Sequence, residues 1–206
     1  MPPAKKINIL IIRRKIFFCT HHLLIGGHVK LPLMLLLCNM PAPFEIHPHL
    51  PFVPPHASVL IIGSFPGRHH VQVSDKDEWF YASPRNQFWP ILRQVYELPL
   101  ASTAEKKALF TQKGIAITDI FLKIRRKEDT NSDAHIDVVA YNDEAIHQIL
   151  NNNEFRNVFF TSQLVQRHFM KCFPLAKYGE CLPSPSPRFA RMSFAEKVAW
   201  YKKKLP

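Results

Sequence analysis

Val59-Leu-Ile-Ile62 most limits what this chain can fold into. Four consecutive aliphatic residues, three of them β-branched, suit a strand buried on both faces, as in a parallel sheet covered by helices. The run ends at Gly63, and Gly63-Ser-Phe-Pro-Gly67 puts two glycines and a proline into five residues. The backbone must therefore turn sharply at the strand's carboxyl end. In open α/β sheets ligands bind at that edge, although a plain strand-to-loop junction would read the same way.

The next informative segment is Glu78-Trp-Phe-Tyr-Ala-Ser-Pro-Arg-Asn-Gln-Phe-Trp89. Trp79, Phe80, Tyr81, Phe88 and Trp89 gather five aromatics within eleven residues, interleaved with Ser83, Arg85, Asn86 and Gln87. Ser83-Pro84 suits a helix N-cap followed by its first position. Pro90 lacks an amide donor, crowds the carbonyl of Asn86 and disfavours helical angles at Trp89. The expectation is a short turn at 84–88 and a regular helix from near Pro90 to about Glu97, with Asn86 on a preorganised turn. The aromatics could stack on a base; for Phe88 and Trp89 the core is favoured.

Downstream, strands and helices alternate. Ser102-Thr-Ala-Glu105 is a capping box opening a helix that closes at Gly114. Ile115 to Ile120 reads as a second buried strand with Asp119 at its carboxyl end, followed by a basic loop from Lys123 to Asp133. Residues 142–151 read as a helix with Ile146, Ile149 and Leu150 inward. Asn157 to Thr161 is a third strand, and Ser162 caps the next helix. Glu180-Cys-Leu182 is a short fourth strand ending in Pro183-Ser-Pro-Ser-Pro-Arg188, and Ser193-Phe-Ala-Glu196 is a capping box for the last helix. This order predicts a three-layer α/β/α fold around a mainly parallel four-stranded sheet.

Two stretches precede that pattern. Residues 1–39 are basic and apolar in patches, neither patch reaching the ~20 residues of a membrane helix. They are expected to be an N-terminal extension outside the core, with Met40 the natural start and 40–206 one domain. Pro41 to Pro55 holds six prolines in fifteen residues and is expected to be an extended arm rather than a folded element.

Composition bounds the function. The formal charge is +11. Residues 1–40 carry six Lys or Arg and no acid, so the 21 remaining cations against 16 acids leave +5 for the rest, a modest bias toward an anionic partner. Cys19, Cys38, Cys172 and Cys181 show no C-x-x-C spacing, and adjacent histidine pairs do not converge on one ion, so neither disulfides nor a metal is expected. Lys123, Arg125, Arg126 and Lys127 suit phosphate contact or a solvated charge run equally. The Pro183 to Arg188 loop is stiff and presents hydroxyls and amides suited to a phosphate backbone, or is an ordinary rigid turn. There is no phosphate-cradling G-x-x-x-x-G-K-[ST], and Gly63 to Gly67 does not match G-x-S-x-G. A carboxamide beside an aromatic pocket orients water without being a strong base, which limits the chemistry to bonds that largely break by themselves.

Taken together, Gly63-Ser-Phe-Pro-Gly67, Trp79 to Trp89, Gly114 to Asp119, Asn131-Ser-Asp133 and Leu182 to Pro187 resemble the uracil-DNA glycosylase superfamily, and within it the hypoxanthine-DNA (deoxyinosine) glycosylase branch. The resemblance spans about residues 44–205. It implies a uracil-DNA-glycosylase-like fold and a monofunctional, cofactor-free glycosylase that flips a deaminated base out of DNA. Asn86 matches the catalytic amide of that branch. The base pocket falls to Gly63, Ser64, Phe65, Pro66, Gly67 and Tyr81, with Phe65 stacking on the base where other branches carry Asp or Asn. Arg85, Ser184, Ser186 and Arg188 are the implied DNA contacts. The Pro–Ser loop lacks the histidine of uracil-specific members, which argues against strong uracil excision; hypoxanthine is the favoured base, with uracil and xanthine as alternatives. The implied partner is DNA containing a deaminated base, met by a cytoplasmic monomer with no membrane association. A non-catalytic nucleic-acid-binding module of the same fold is the alternative.

Overall fold

The computed structural model describes residues 43–67, 79–127, 133–174 and 179–206. The expected extension at 1–39, together with Asn131 and Ser132, lies outside them. The elements run β1 Glu45–Ile46, β2 Val59–Gly63, α1 Phe88–Tyr96, α2 Thr103–Lys113, β3 Ile115–Asp119, β4 Phe121–Arg126, a 3-10 turn Asp133–His135, β5 Ile136–Tyr141, α3 Asp143–Asn152, β6 Asn157–Phe160, α4 Gln163–Cys172, β7 Glu180–Cys181 and α5 Phe194–Lys204.

The expected four-stranded sheet is present, in the order β3-β2-β6-β7 and parallel throughout. Successive side chains of β2 point to opposite faces, and both faces are dry. Val59 and Ile61 pack with Ile91 and Leu92 of α1, Leu109 and Phe110 of α2, and Tyr201 of α5. Leu60 and Ile62 pack with Ile146 and Ile149 of α3 and Val165 and Phe169 of α4. Three layers result. Because both faces are apolar, the side chains of β2 do not fix its register. Backbone bonds at both ends do: Ser58 N to Gly114 O at 2.8 Å and Ile120 N to Gly63 O at 2.9 Å.

The helix ends follow the local chemistry. Ser102 and Ser193 form full capping boxes with Glu105 and Glu196, Ser162 caps α4, and Gly114 closes α2 in the left-handed region at φ 60°. Helix α1 begins at Phe88, two residues before the expected start. Pro90 is its third residue, where an amide has no intrahelical partner to lose. The carbonyl it would crowd belongs to Asn86, outside the helix.

Two expectations are corrected. The stretch expected as a basic loop from Lys123 is, through Arg126, strand β4, which joins β1 and β5 in a three-stranded antiparallel sheet. Phe121 and Ile124 turn inward into the core shared with α3 and α4. Arg126 follows them and is 4% exposed, so the charge run is partly internal. The proline-rich arm is more than an entry strap, since Phe52 and Ile117 exchange two backbone bonds of 2.9 Å and Glu45–Ile46 pairs with β4. Among the described residues no helix is long and apolar enough to cross a membrane.

Candidate active site

The carboxyl ends of β2, β3, β6 and β7 lie along one edge of the parallel sheet and carry the candidate site. Asp119, the last residue of β3, pairs in register with Gly63, the last of β2. Its Oδ2 lies 2.8 Å from Nε2 of His47, on the proline-rich arm, with the two side chains 7% and 3% exposed. Its Oδ1 is buried and has no hydrogen-bond partner among the described residues. Leaving such an acceptor unpaired costs about 1–3 kcal/mol, more when it is charged, so this oxygen calls for a functional explanation.

Tyr81 closes over the same point. Its hydroxyl donates to Thr161 Oγ1 at 3.0 Å, just past the end of β6, and its ring stacks on Phe88 at 4.3 Å. Gly63 lies directly beneath. A Cβ there would overlap both the Tyr81 hydroxyl and Asp119 Oδ1, so the bare glycine lets the two groups meet over the strand end. Burial first, and then the nearby Asp119, push the Tyr81 phenol well above its ordinary value. Tyr81 also has φ 60°, a left-handed conformation that costs a non-glycine residue on the order of 1–3 kcal/mol and clusters at functional sites.

The Gly63 to Gly67 loop is anchored from the second sheet. Ser64 hydrogen-bonds the Asp133 carboxyl, which burial shifts upward despite that bond. Pro66 O accepts from Arg126 Nη2 at 2.7 Å, and the same guanidinium pairs with Glu45 at 3.0 Å. Phe65 is 8% exposed. The His47 ring meets it edge-on at 5.3 Å and the Arg126 guanidinium lies 5.9 Å over its face. Ser64, Pro66 and Gly67 are half-buried.

Asn86 sits on the expected turn. Its amide N–H donates to Ser83 O at 2.8 Å, while its side-chain oxygen accepts the Phe88 N–H at 2.9 Å. The carboxamide is thereby pinned at the mouth of α1, with its own NH₂ and one oxygen lone pair uncommitted among the described residues. Phe88 and Trp89 are core, and the Trp89 indole donates to Phe80 O at 2.7 Å. Arg85 is exposed.

The Pro–Ser loop is bolted to this turn. Gln87 N donates to Pro185 O at 2.8 Å. Lys197 of α5, 2% exposed, donates from one ammonium to Gln87 Oε1 at 2.8 Å and to Ser186 O at 3.2 Å. Tyr201, one turn on, donates to Pro183 O at 3.0 Å. Within the loop Ser184 Oγ accepts from Ser186 N and Ser186 Oγ accepts from Arg188 N, each at 3.3 Å. The hydroxyl hydrogens stay available as donors, and Arg188 is exposed. Replacing Lys197 with methionine preserves the stem but leaves two carbonyl oxygens unpaired. Thermal unfolding should register a loss of about 1–3 kcal/mol as the two loops separate.

The structure thus joins Gly63 to Tyr81, and the Asn86 turn to Ser184–Ser186. Phe65 packs instead against His47 and Arg126. Sequence reasoning placed Asp119 at the sheet edge without a role, and missed His47, Thr161, Lys197 and Tyr201. Only Asp119 carried a usable signal, as a polar residue closing a buried strand. Among the described residues no three His, Cys, Asp or Glu side chains gather to hold a metal.

The family model of the uracil DNA glycosylase superfamily matches residues 50–205. The chain belongs to the uracil DNA glycosylase superfamily. A search of curated protein sequences gives no match. In three dimensions the chain is similar to the solution NMR structure of a candidate uracil DNA glycosylase from Methanosarcina acetivorans, at 17% identity and a TM-score of 0.55, covering 78% of this chain and 98% of the other. The superfamily match takes in every strand of the parallel sheet and both loops that α5 bolts together. It begins three residues after His47.

Proposed function

We propose that this protein is a monofunctional DNA glycosylase that hydrolyses the N-glycosidic bond of a deaminated base flipped out of DNA, with hypoxanthine favoured and uracil or xanthine in the same class. The observation that carries the reading is the unpartnered Oδ1 of Asp119 beside Gly63. Deamination of adenine converts its ring N1 from an acceptor into an N–H donor. An ionised carboxylate oxygen accepts and cannot donate, so it pairs with hypoxanthine and sets lone pair against lone pair with adenine. A polar site of this kind discriminates more strongly than an apolar one, because the wrong base leaves its buried group unpaired.

The reaction asks little covalent chemistry of the protein. The bond between the sugar C1′ and the base nitrogen breaks with its electron pair leaving on the base, through an oxocarbenium-like sugar. A water oxygen then bonds to C1′, and the proton it sheds is balanced by one taken up by the base. Asn86, its carboxamide fixed by the Phe88 N–H, orients that water and is too weak a base to deprotonate it beforehand. Phe65 stacks on the flipped base. The hydroxyls of Ser184 and Ser186, with Arg85 and Arg188, meet backbone phosphates, an interaction that fixes register rather than reading sequence. The protein acts as a monomer and needs no cofactor.

Duplexes carrying deoxyinosine, deoxyuridine or deoxyxanthosine, cleaved by alkali after incubation, test the reading. Deoxyinosine should give the fastest strand scission. Asn86→Ala should lower the single-turnover rate by about 10²–10³-fold with substrate affinity little changed. An Asn86→Ala variant of full activity overturns the catalytic assignment, and salt-sensitive DNA binding without any abasic product favours a binding module.

A further inference from the structure

His47 lies outside the superfamily match, on an arm that pairs with the second sheet, yet it makes the direct contact to Asp119, the buried carboxylate that closes β3. Three features define what it does there. Nε2 engages Asp119 Oδ2 at 2.8 Å, which turns Oδ1 toward Gly63. The ring is held edge-on by Phe65 at 5.3 Å and tilted against Phe80 at 5.7 Å, so it has no freedom to leave. Finally, Nδ1 has two partners on one residue: the His49 carbonyl at 2.8 Å and the His49 amide nitrogen at 3.1 Å. A neutral ring carrying its proton on Nε2 accepts from the amide, whereas an imidazolium donates to the carbonyl. Both states are accommodated without moving the ring.

That double provision answers a difficulty in the proposed chemistry. A carboxylate beside the base discriminates well, but it opposes the negative charge that the base acquires as it departs. We propose that His47 is a positioning residue that fixes Asp119 with Oδ1 presented to the base and, as an imidazolium, balances the carboxylate during bond breaking. The inference rests on the glycosylase reading above and deepens it. The charged and titratable groups around the pair are consistent with this assignment. Asp119 is in direct contact, and His49 packs against the ring at 5.8 Å. Tyr81 and Asp133 both feel Asp119. Arg126 faces Phe65, with its charge already engaged by Glu45. Among these groups His47 makes the direct contact with Asp119.

His47→Gln and His47→Leu separate the two duties. Glutamine can still donate one N–H to Oδ2 but cannot carry charge; leucine does neither. Single-turnover excision of hypoxanthine from a duplex, followed across the pH range in which imidazoles titrate, supplies the readout, with thermal unfolding as a check on folding. In His47→Gln the substrate concentration at half-saturation should stay near wild type. Its rate should fall at least about tenfold, and the rise in rate on acidification through that range should disappear. His47→Leu should also weaken substrate binding and erode the preference for hypoxanthine over adenine. A His47→Gln variant with wild-type rate and pH profile overturns the inference while leaving the glycosylase reading intact. Equal losses in both variants with an unchanged pH profile reduce His47 to a structural part and overturn it as well. A wild-type protein inert on every base removes the glycosylase reading first, and the inference with it.

Discussion

Gly63→Ala is expected to cut base excision by at least about 100-fold while the chain still folds. No unusual backbone angle demands glycine at this position, so the effect is purely one of space. The added methyl would overlap the Tyr81 hydroxyl and Asp119 Oδ1. Both must shift, straining the bond to Thr161 and the pairing with His47 together. Insertion of a methyl into a packed site typically costs about 1–3 kcal/mol, which thermal unfolding would register as a modest fall in Tm. Activity should suffer far more, because both groups displaced belong to the proposed pocket. Rates on a deoxyinosine duplex beside Tm values from the same preparations check this. A Gly63→Ala protein that excises hypoxanthine at the wild-type rate would remove the pocket from this place in the fold.

The largest effect on stability is expected from Gly179→Ala. Gly179 has φ +133°, which side chains rarely adopt, and a Cβ would enter the ring of Phe160. Phe160 is fully buried between the sheet and Phe169 of α4, so it has nowhere to retreat. Strain and overpacking together should cost at least about 3 kcal/mol, or roughly 6–12 °C in Tm for a domain of this size. Urea titration should show a lower midpoint with an unchanged slope. A loss below about 1 kcal/mol would mean that the chain entering β7 can reroute.

The parallel sheet was legible because its strands are written twice, once as apolar stretches, an uninterrupted aliphatic run in β2 and shorter in the others, and again as the caps of the helices between them. Ser102, Gly114, Ser162 and Ser193 each mark a boundary by local chemistry alone. The antiparallel sheet was not legible. Phe121-Leu-Lys-Ile-Arg-Arg126 pairs irregularly with β5 and carries three cations, so its period-2 pattern is blurred and the charges dominate the reading. The burial of Arg126 depends on Glu45, 81 residues away in sequence. The turn that holds Asn86 was legible from Ser83-Pro84 and Pro90, whereas the contact made by His47 was hidden in a proline-rich arm that no periodicity singles out. Lys197 and Tyr201 were hidden differently. On a short amphipathic helix they read as one surface lysine among several and one core aromatic, and their polar tips acquire meaning only once the Pro–Ser loop is known to lie against them.

The bolt formed by Lys197 and Tyr201 also sets an order of events during synthesis. A nascent chain that has emerged through Ser186 already holds the four parallel strands, the Asn86 turn and the Pro–Ser loop, but not the ammonium and hydroxyl that tie them together. The arrangement is therefore completed only when the following helix docks. A chain truncated between residues 188 and 193 loses both the bolt and the Tyr201 and Leu205 side chains that cover one face of the sheet, so it should be cut by protease faster than the full chain and grip DNA poorly, which ties competence for repair to the docking of the last helix.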